Sequence, residues 1–81
     1  MGSRSDLPQM ESCMETLTTF GIPFEVRILS AHRTPEAVLA LSKTAVDTGV
    51  AVIIAAAGGA AHLAGVLASS TPLPVIGVPM E

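Results

Sequence analysis

The sequence predicts an α/β fold with a parallel sheet, and three observations support this prediction. Helix-like and strand-like hydrophobic patterns alternate along the 81 residues, in the order helix, strand, helix, strand, helix, strand. Residues 48–80 are uncharged if His62 is counted as neutral, and their Val/Ile/Ala runs are typical of strands buried on both faces. Loops rich in Gly and Ser adjoin the helices, as in α/β units. A chain of this length forms one small domain.

The first predicted helix begins at Asp6 and ends near Gly21. Asp6 is a candidate N-cap, Pro8 lies in the first turn, and apolar residues then recur every three or four positions. Residues 22–28 follow, with apolar side chains at every second position and polar or charged ones between them. This alternation predicts a half-exposed edge strand.

The second predicted helix begins at Thr34, with Thr34 as N-cap, Pro35 at the first helical position and Gly49 as C-cap. Its apolar stripe is formed by Val38, Leu41 and Ala45. Three further elements complete the pattern: a buried strand over residues 50–56, a short helix over residues 60–69 and a second buried strand over residues 74–78.

Composition argues against several classes of function. Residues 50–68 are long enough to cross a bilayer, but adjacent glycines and His62 lie near their centre and no Lys or Arg flanks them, which argues against a membrane helix. The 4 basic and 7 acidic residues are not clustered, which argues against binding to nucleic acid. Cys13 is the single cysteine and has no internal disulfide partner, so we expect a reducing, cytoplasmic location.

Three loops are expected to meet at one edge of the sheet, because the carboxyl ends of parallel strands converge on one crevice. Residues 2–6 offer two hydroxyls, a carboxylate and free backbone N–H groups, which suit a phosphate and a sugar hydroxyl. Residues 30–35 add the guanidinium of Arg33, which can bind phosphate through two hydrogen bonds. Residues 57–62 include glycines that let the backbone approach a flat ring. The loops together predict a pocket for a phosphorylated ribose that carries a heterocycle.

His32 is the side chain that we expect to transfer protons. Arg33 and the following helix N-terminus create positive potential beside it, and positive potential disfavours the imidazolium form. A neutral imidazole can accept a proton and return it near physiological pH.

The same residues also have purely structural interpretations. Ser3, Ser5, Asp6 and Thr34 could be ordinary helix caps. Arg33 could be a solvated surface residue, and His62 could be a half-buried packing residue. The glycine pair matches neither a dinucleotide nor a nucleoside-triphosphate fingerprint, and no His or Cys pair has metal-ligand spacing. The joint occurrence of the three loops, rather than any loop alone, favours a functional site.

Four blocks of sequence carry a resemblance to a known family. They are MGSRSD at residues 1–6, SAHRTP at 30–35, AGGAAHL at 57–63 and PLPVIGVP at 72–79. In this order and spacing they resemble the class I 5-(carboxyamino)imidazole ribonucleotide mutases, a family also known as the catalytic subunit of phosphoribosylaminoimidazole carboxylase. The resemblance covers residues 1–81 and implies the N-terminal part of a single mutase/carboxylase domain. It implies a flavodoxin-like three-layer parallel sheet, truncated so that the first strand and the C-terminal half are missing.

The resemblance also implies a reaction, in which 5-(carboxyamino)imidazole ribonucleotide becomes 4-carboxy-5-aminoimidazole ribonucleotide in de novo purine biosynthesis. It implies a homo-octamer, no metal or organic cofactor, and an association with a carboxylating synthetase. The implied catalytic residue is His32. The implied substrate-binding residues are Ser3, Ser5, Asp6, Ser30, Arg33, Gly58, Gly59 and His62. Two alternatives remain open: a non-catalytic truncated copy, and an aminoimidazole ribonucleotide carboxylase that uses carbon dioxide directly.

The chain departs from the family pattern at two positions. Ala56 stands where the family usually has glycine, and Ala64 stands where it usually has proline. If position 56 needs a positive φ, the alanine there costs about 1 kcal/mol or more. In the order of strands that the resemblance implies, the missing first strand lies between the strands near Ile22 and Val50. We therefore expect that the 81 residues neither fold nor catalyse alone.

Overall fold

The computed structural model describes residues 1–58 and 62–80 of the chain. Within these residues the chain forms three α-helices and two β-strands, and a short 3-10 turn precedes the first helix. The turn spans Arg4–Asp6, and the elements in chain order are α1 Leu7–Thr19, α2 Pro35–Thr44, β1 Ile53–Gly58, α3 His62–Ala68 and β2 Val75–Met80.

The two strands form a parallel pair. The register begins with Ile53 opposite Val75 and ends with Gly58 opposite Met80. Helix α3 follows β1 in the chain and packs against both strands and against α2. This β-α-β arrangement confirms the predicted α/β class with a parallel sheet.

The core lies on both faces of β1. Ala55 packs with Val38 of α2 and with the two buried leucines of α3, Leu63 and Leu67. Its neighbour Ala56 belongs to a second cluster, together with Met10 of α1 and Met80 of β2. Because successive residues of a strand point to opposite faces, α1 lies on one side of the sheet and the pair α2 and α3 on the other.

Helix α1 has the predicted extent, but Asp6 does not cap it. Asp6 makes no side-chain hydrogen bond at the helix start, because its backbone already has helical dihedral angles inside the 3-10 turn. The cap belongs to that turn instead, where Ser3 Oγ accepts a hydrogen bond of 3.3 Å from the Ser5 backbone N–H. Gly21, with a φ of +69°, reverses the chain after the helix.

Helix α2 begins at Pro35 as predicted, but the expected Thr34 cap is wrong. Thr34 makes no side-chain cap bond to the helix, because its hydroxyl is engaged by Ser30 of the preceding loop. The regular helix ends at Thr44, and turns carry the chain to Gly49, which has a φ of +86°. The Val50 N–H donates back to the Ala45 carbonyl over 3.0 Å at the end of these turns, and Ala45 is the C-cap residue, so the predicted C-cap at Gly49 is wrong.

Residues 22–28 do not form the predicted edge strand. All of their side chains are exposed, and the structure assigns them no regular element. Two hydrogen bonds of 2.9 Å tie the end of this segment to Met1, from its amino group to the Arg27 carbonyl and from the Leu29 N–H to the Met1 carbonyl. A β-strand needs a continuous series of such bonds to a partner strand, whereas Met1 is a partner that is one residue long.

The other predicted boundaries shift by a few residues. Strand β1 begins at Ile53 rather than at position 50, because its partner β2 begins only at Val75. Val52 stays outside the ladder and is 45% exposed, so the expectation of a strand buried along its whole length is wrong. The predicted short helix matches α3, although its first two predicted residues lie outside the described part of the chain.

An apolar groove of about 720 Å³ separates residues 22–29 from β1. Its walls include Met10 and Leu17 of α1, Phe24 and Ile54. Met1 and Gly2 connect the two sides, since Met1 bonds to residues 27 and 29 while the Gly2 N–H donates to the Ala56 carbonyl over 2.9 Å. Across the described ranges, no helix combines the length and the apolar character needed to cross a membrane.

Candidate functional site

The three loops that were predicted to meet do lie around one cavity, of about 230 Å³. The cavity is at the carboxyl end of β1, between the first turn of the chain and the start of α3. Its lining residues are Gly2, Ser3, Asp6, Ser30, Ala31, His32, Ala57, Gly58, His62 and Leu63. Of the candidate site residues, Ser5 and Arg33 are exposed and do not line it, and Gly59 lies outside the described residues.

The first loop is held to the sheet by its backbone. The Gly2 N–H donates to the Ala56 carbonyl, which fixes the loop against the second half of β1. The Asp6 N–H donates to the Ser3 carbonyl over 3.1 Å and closes the turn. The hydroxyls of Ser3 and Ser5 lie 2.9 Å apart. Ser3 and Asp6 therefore present a hydroxyl and a carboxylate to the cavity.

The second loop is organised by Ser30. Its Oγ accepts hydrogen bonds from the backbone N–H groups of His32, at 3.2 Å, and Arg33, at 3.1 Å. Its carbonyl accepts from the Thr34 N–H at 2.9 Å, and its own N–H donates to the Thr34 hydroxyl. A serine that bonds to the backbone two and three residues ahead forms a tight turn. This turn brings His32 to the cavity and leaves the Arg33 side chain in solvent.

His32 and His62 are in contact, although 30 positions separate them in the chain. The Nε2 atom of His32 lies 3.2 Å from the Nδ1 atom of His62, and the two rings meet edge to face at an interplanar angle of 66°. His62 is the first residue of α3 and is exposed, so the structural interpretation of a half-buried packing histidine is wrong.

Ala56 is not strained, because it lies inside β1. It is paired with Val78, so its backbone is extended, a conformation that any residue adopts. Its methyl group is 1% exposed and belongs to the core cluster with Met10 and Met80. The cost that a positive φ would bring at position 56 therefore does not arise in this structure.

One charged group near the cavity has a perturbed pKa. Burial of the Met1 amino group lowers its pKa below the ordinary value of 8.0, because the charged form loses solvent, and the attraction of Asp6 opposes this effect. The Met1 amine and the Asp6 carboxylate thus interact at the rim of the first loop. No set of three or more His, Cys, Asp or Glu side chains in residues 1–58 and 62–80 is arranged to hold a metal ion.

A family model described as AIR carboxylase matches residues 1–81, which is the whole chain. The chain belongs to the AIR carboxylase family. The match covers all three loops around the cavity and both strands of the sheet.

Three curated relatives of this AIR carboxylase family member carry three different names. It is 60% identical, over all of its 81 residues, to 14% of the chloroplastic phosphoribosylaminoimidazole carboxylase of Vigna aconitifolia. It is 57% identical, again over its whole length, to 46% of the N5-carboxyaminoimidazole ribonucleotide mutase of Pyrococcus horikoshii. A bifunctional purine synthesis protein of Dictyostelium discoideum is 56% identical over 8% of its length. The chain thus spans about half the length of the mutase relative and less of the other two.

Sequence reasoning missed two features of the site in this family member. Ala31 and Leu63 line the cavity, but small and apolar residues carry no chemical signal that distinguishes lining from core. The contact between His32 and His62 was also missed. The sequence could have indicated this contact, because each histidine lies in a loop that was expected at the same edge of the sheet.

Proposed function

We propose that the protein containing these residues converts 5-(carboxyamino)imidazole ribonucleotide into 4-carboxy-5-aminoimidazole ribonucleotide, a step of de novo purine biosynthesis. The observation that carries the proposal is the meeting of three loops around His32 at one cavity. Membership of the AIR carboxylase family and the name of the Pyrococcus horikoshii relative support the same reaction.

In this proposal His32 is the catalytic residue. The reaction breaks the bond between the carboxyl group and the exocyclic nitrogen and forms a bond from the same carboxyl group to ring carbon 4. The nitrogen gains a proton and the carbon loses one, so a group is needed that can both deliver and remove a proton. An imidazole at the cavity wall can perform both steps, and His32 lines the cavity.

The substrate-binding role is assigned to the remaining polar groups of the three loops. A hydroxyl and a carboxylate at the cavity wall, from Ser3 and Asp6, suit the ribose phosphate and a sugar hydroxyl. The other assigned residues are Ser5, Ser30 and Arg33 around the phosphate, and Gly58, Gly59 and His62 around the base. Ser30, Gly58 and His62 line the cavity, which supports their assignment, whereas Gly59 is assigned from the family resemblance alone.

The size of the cavity indicates that the described residues form an incomplete site. Pockets that enclose a small-molecule ligand usually measure about 300–1,000 Å³. The cavity here is about 230 Å³, so the described residues form only part of a nucleotide pocket. By family resemblance alone we assign this chain to a homo-oligomer, an octamer, that needs no metal or organic cofactor. The bifunctional relative of Dictyostelium discoideum is consistent with an associated synthetase.

The proposal also includes the architecture of the complete sheet. Helices on both faces of β1 support a flavodoxin-like three-layer sheet, of which residues 1–81 are the N-terminal part of one mutase/carboxylase domain. The apolar groove between residues 22–29 and β1 supports a further strand at that position. The free thiol of Cys13 is consistent with a cytoplasmic location.

The test of the reaction is the His32→Asn variant, made in the protein at the length of its mutase relatives. Asparagine keeps a polar side chain but cannot exchange a proton near neutral pH. We expect the variant to bind the ribonucleotide with unchanged affinity and to lose carboxyl transfer by about 100-fold or more. Lys43→Gln, an exposed change on α2, is the control and should leave turnover unchanged. Retained turnover in His32→Asn would contradict the proposal.

Two further assays separate the alternatives. The carboxylase alternative has support from the name of the Vigna aconitifolia relative, and it would be favoured if product formed only from bicarbonate and the uncarboxylated ribonucleotide. We expect the 81-residue chain to be inactive alone and to enter the oligomer of an intact family member during size-exclusion chromatography. A monodisperse, active oligomer of the short chain would rule out the inert copy and contradict this expectation.

A further inference from the structure

The contact between His32 and His62 constrains where their protons lie. A separation of 3.2 Å between two ring nitrogens is a hydrogen bond only if one nitrogen carries a proton and the other presents a lone pair. If both rings were charged, two N–H groups would face each other. In the neutral pair, either Nε2 of His32 or Nδ1 of His62 is therefore the donor.

The two arrangements differ in tautomer. When Nε2–H of His32 donates to Nδ1 of His62, both rings carry their proton on Nε2, which is the form that neutral histidine prefers in water. The reverse arrangement requires both rings to adopt the less favoured Nδ1–H form. The observed pairing of Nε2 with Nδ1 therefore favours His32 as the donor.

We propose that His62 is a positioning residue that holds His32 in the Nε2–H tautomer, so that Nδ1 of His32 is the atom that exchanges a proton with the ligand. This inference rests on the proposed function, in which His32 transfers the proton. The turn made by Ser30 fixes the backbone of His32, and the edge-to-face contact with His62 fixes its ring. The Ser30 contact thus places the backbone of His32, and the His62 contact determines which ring nitrogen is free.

The same contact stabilises the charged intermediate state of His32. When Nδ1 accepts a proton, the ring becomes an imidazolium, and its Nε2–H then makes a charge-assisted bond to His62. Such bonds are about twice as strong as neutral ones. An imidazole partner orients the cation without adding a fixed negative charge at that contact. Asp6 is the carboxylate that lines the same cavity, and Arg33 is the adjacent cation in the chain.

The test is the nitrogen chemical shift of the His32 ring, measured by ¹⁵N NMR on the full-length protein without substrate at a pH where both rings are neutral. We expect a protonated Nε2 and an unprotonated Nδ1 in His32. In His62→Ala the two His32 shifts should move toward the averaged values of free imidazole. His62→Asn supplies an amide oxygen near the position of Nδ1 and should restore the original shifts. An Nδ1–H tautomer in the unmodified protein, or unchanged shifts in His62→Ala, would overturn the inference.

Kinetics provide the second measurement and separate this inference from the proposed function. We expect His62→Ala to lower kcat by about tenfold, the factor lost with one hydrogen bond to a charged group, and any rise in KM to come from the loss of its assigned contact with the base. His62→Asn should recover most of kcat. If the unmodified protein has the expected tautomer but no mutase activity, the proposed function fails while the tautomer assignment stands. If activity is present and His62→Ala keeps full kcat, the positioning role fails alone.

Discussion

Gly77 of β2 faces Ala64 of α3 so closely that a Cβ atom added to the glycine would lie 3.2 Å from the Ala64 Cβ. This is closer than ordinary contact between two methyl groups, so the helix rests on the sheet at a point where one partner has no side chain. The position of α3, and with it the position of His62 at the cavity, depends on this approach.

The first prediction is that Gly77→Ala destabilises the protein by about 1 kcal/mol, because Ala64 must shift to admit the added methyl group although Gly77 itself is exposed. The matched control is Gly65→Ala in α3, where an added Cβ meets nothing within 4 Å. That change should stabilise the protein by about 1 kcal/mol, because alanine is the better helix former. Urea unfolding of both variants measures the two effects. Equal stability of the two variants would contradict the close approach of α3 to β2.

The second prediction concerns the departure at position 56. Ala56→Gly should destabilise the protein by about 1 kcal/mol or more, because it removes a buried methyl group and loosens a strand. Ala57→Gly, on the same strand but less buried, should cost less. The free energy of unfolding in urea distinguishes the variants. A gain in stability from Ala56→Gly would mean that the alanine is strained after all.

The third prediction is that Ser30→Ala lowers turnover more strongly than it lowers the free energy of unfolding. The variant removes the acceptor for the backbone N–H groups of His32 and Arg33, so the turn loses the bonds that aim His32 at the cavity. We expect a loss of stability of about 1–2 kcal/mol and a fall in turnover of at least tenfold in the full-length protein. Ser69→Ala, which removes exposed hydrogen bonds to Val66 and Ser70 just beyond the end of α3, is the control. The prediction fails if both variants keep the same kcat.

The fourth prediction uses the lowered pKa of the Met1 amino group in a chain that starts at Met1. Because that pKa lies below 8.0 in the folded protein, the unfolded chain binds more protons between the two values. Stability should therefore rise as the pH increases through this interval and level off above 8.0. Acetylation of the amine should remove this component of the pH dependence. Urea unfolding at several pH values compares the two chains, and identical slopes would refute the prediction.

The fifth prediction tests the apolar groove between residues 22–29 and β1. Adding a short Val/Ile-rich segment before Met1 should raise the free energy of unfolding and protect the N–H groups of residues 22–28 from hydrogen exchange. The reason is that the segment would pair with both sides of the groove, as Met1 and Gly2 already do at one end. A Gly/Ser segment of equal length is the control. Equal protection from both segments would refute a strand site.

The elements that were predicted well are those whose signals are local. Pro35 marks the start of α2, because its ring fixes the backbone angle φ by its own covalent structure. Gly49 permits the positive φ that ends the turns after the helix, but the helix itself ends at Thr44. The strand predicted over residues 22–28 is wrong. Their alternating pattern indicates which side chains share an apolar face, but a β-strand also requires a partner strand, and the alternation gives no information about one. The caps at Asp6 and Thr34 failed for a related reason, since each side chain had a competing neighbour or backbone geometry.

The site could be predicted as a set of loops but not as a set of contacts. The rule that strand ends converge predicted that Ser3, His32 and His62 would share one cavity, and they do, although among the described residues only the loop before His62 follows a strand. It did not distinguish Ser30, which organises a turn, from Arg33, which points into solvent, because that difference depends on side-chain hydrogen bonds. The binding and catalytic roles themselves stay predictions.

The pairing of Gly2 with Ala56 and of Ile53 with Val75 has a consequence for the order of folding. Helices α1 and α2 contain only local hydrogen bonds and can form as soon as their residues leave the ribosome. The sheet cannot close until Ala56 has emerged to meet the first residues of the chain, and β1 has no partner until Val75 follows. The apolar side chains of Ile22, Phe24, Val26 and Ile28 stay exposed even after the sheet has closed, so this segment is open to aggregation throughout folding and not only during synthesis.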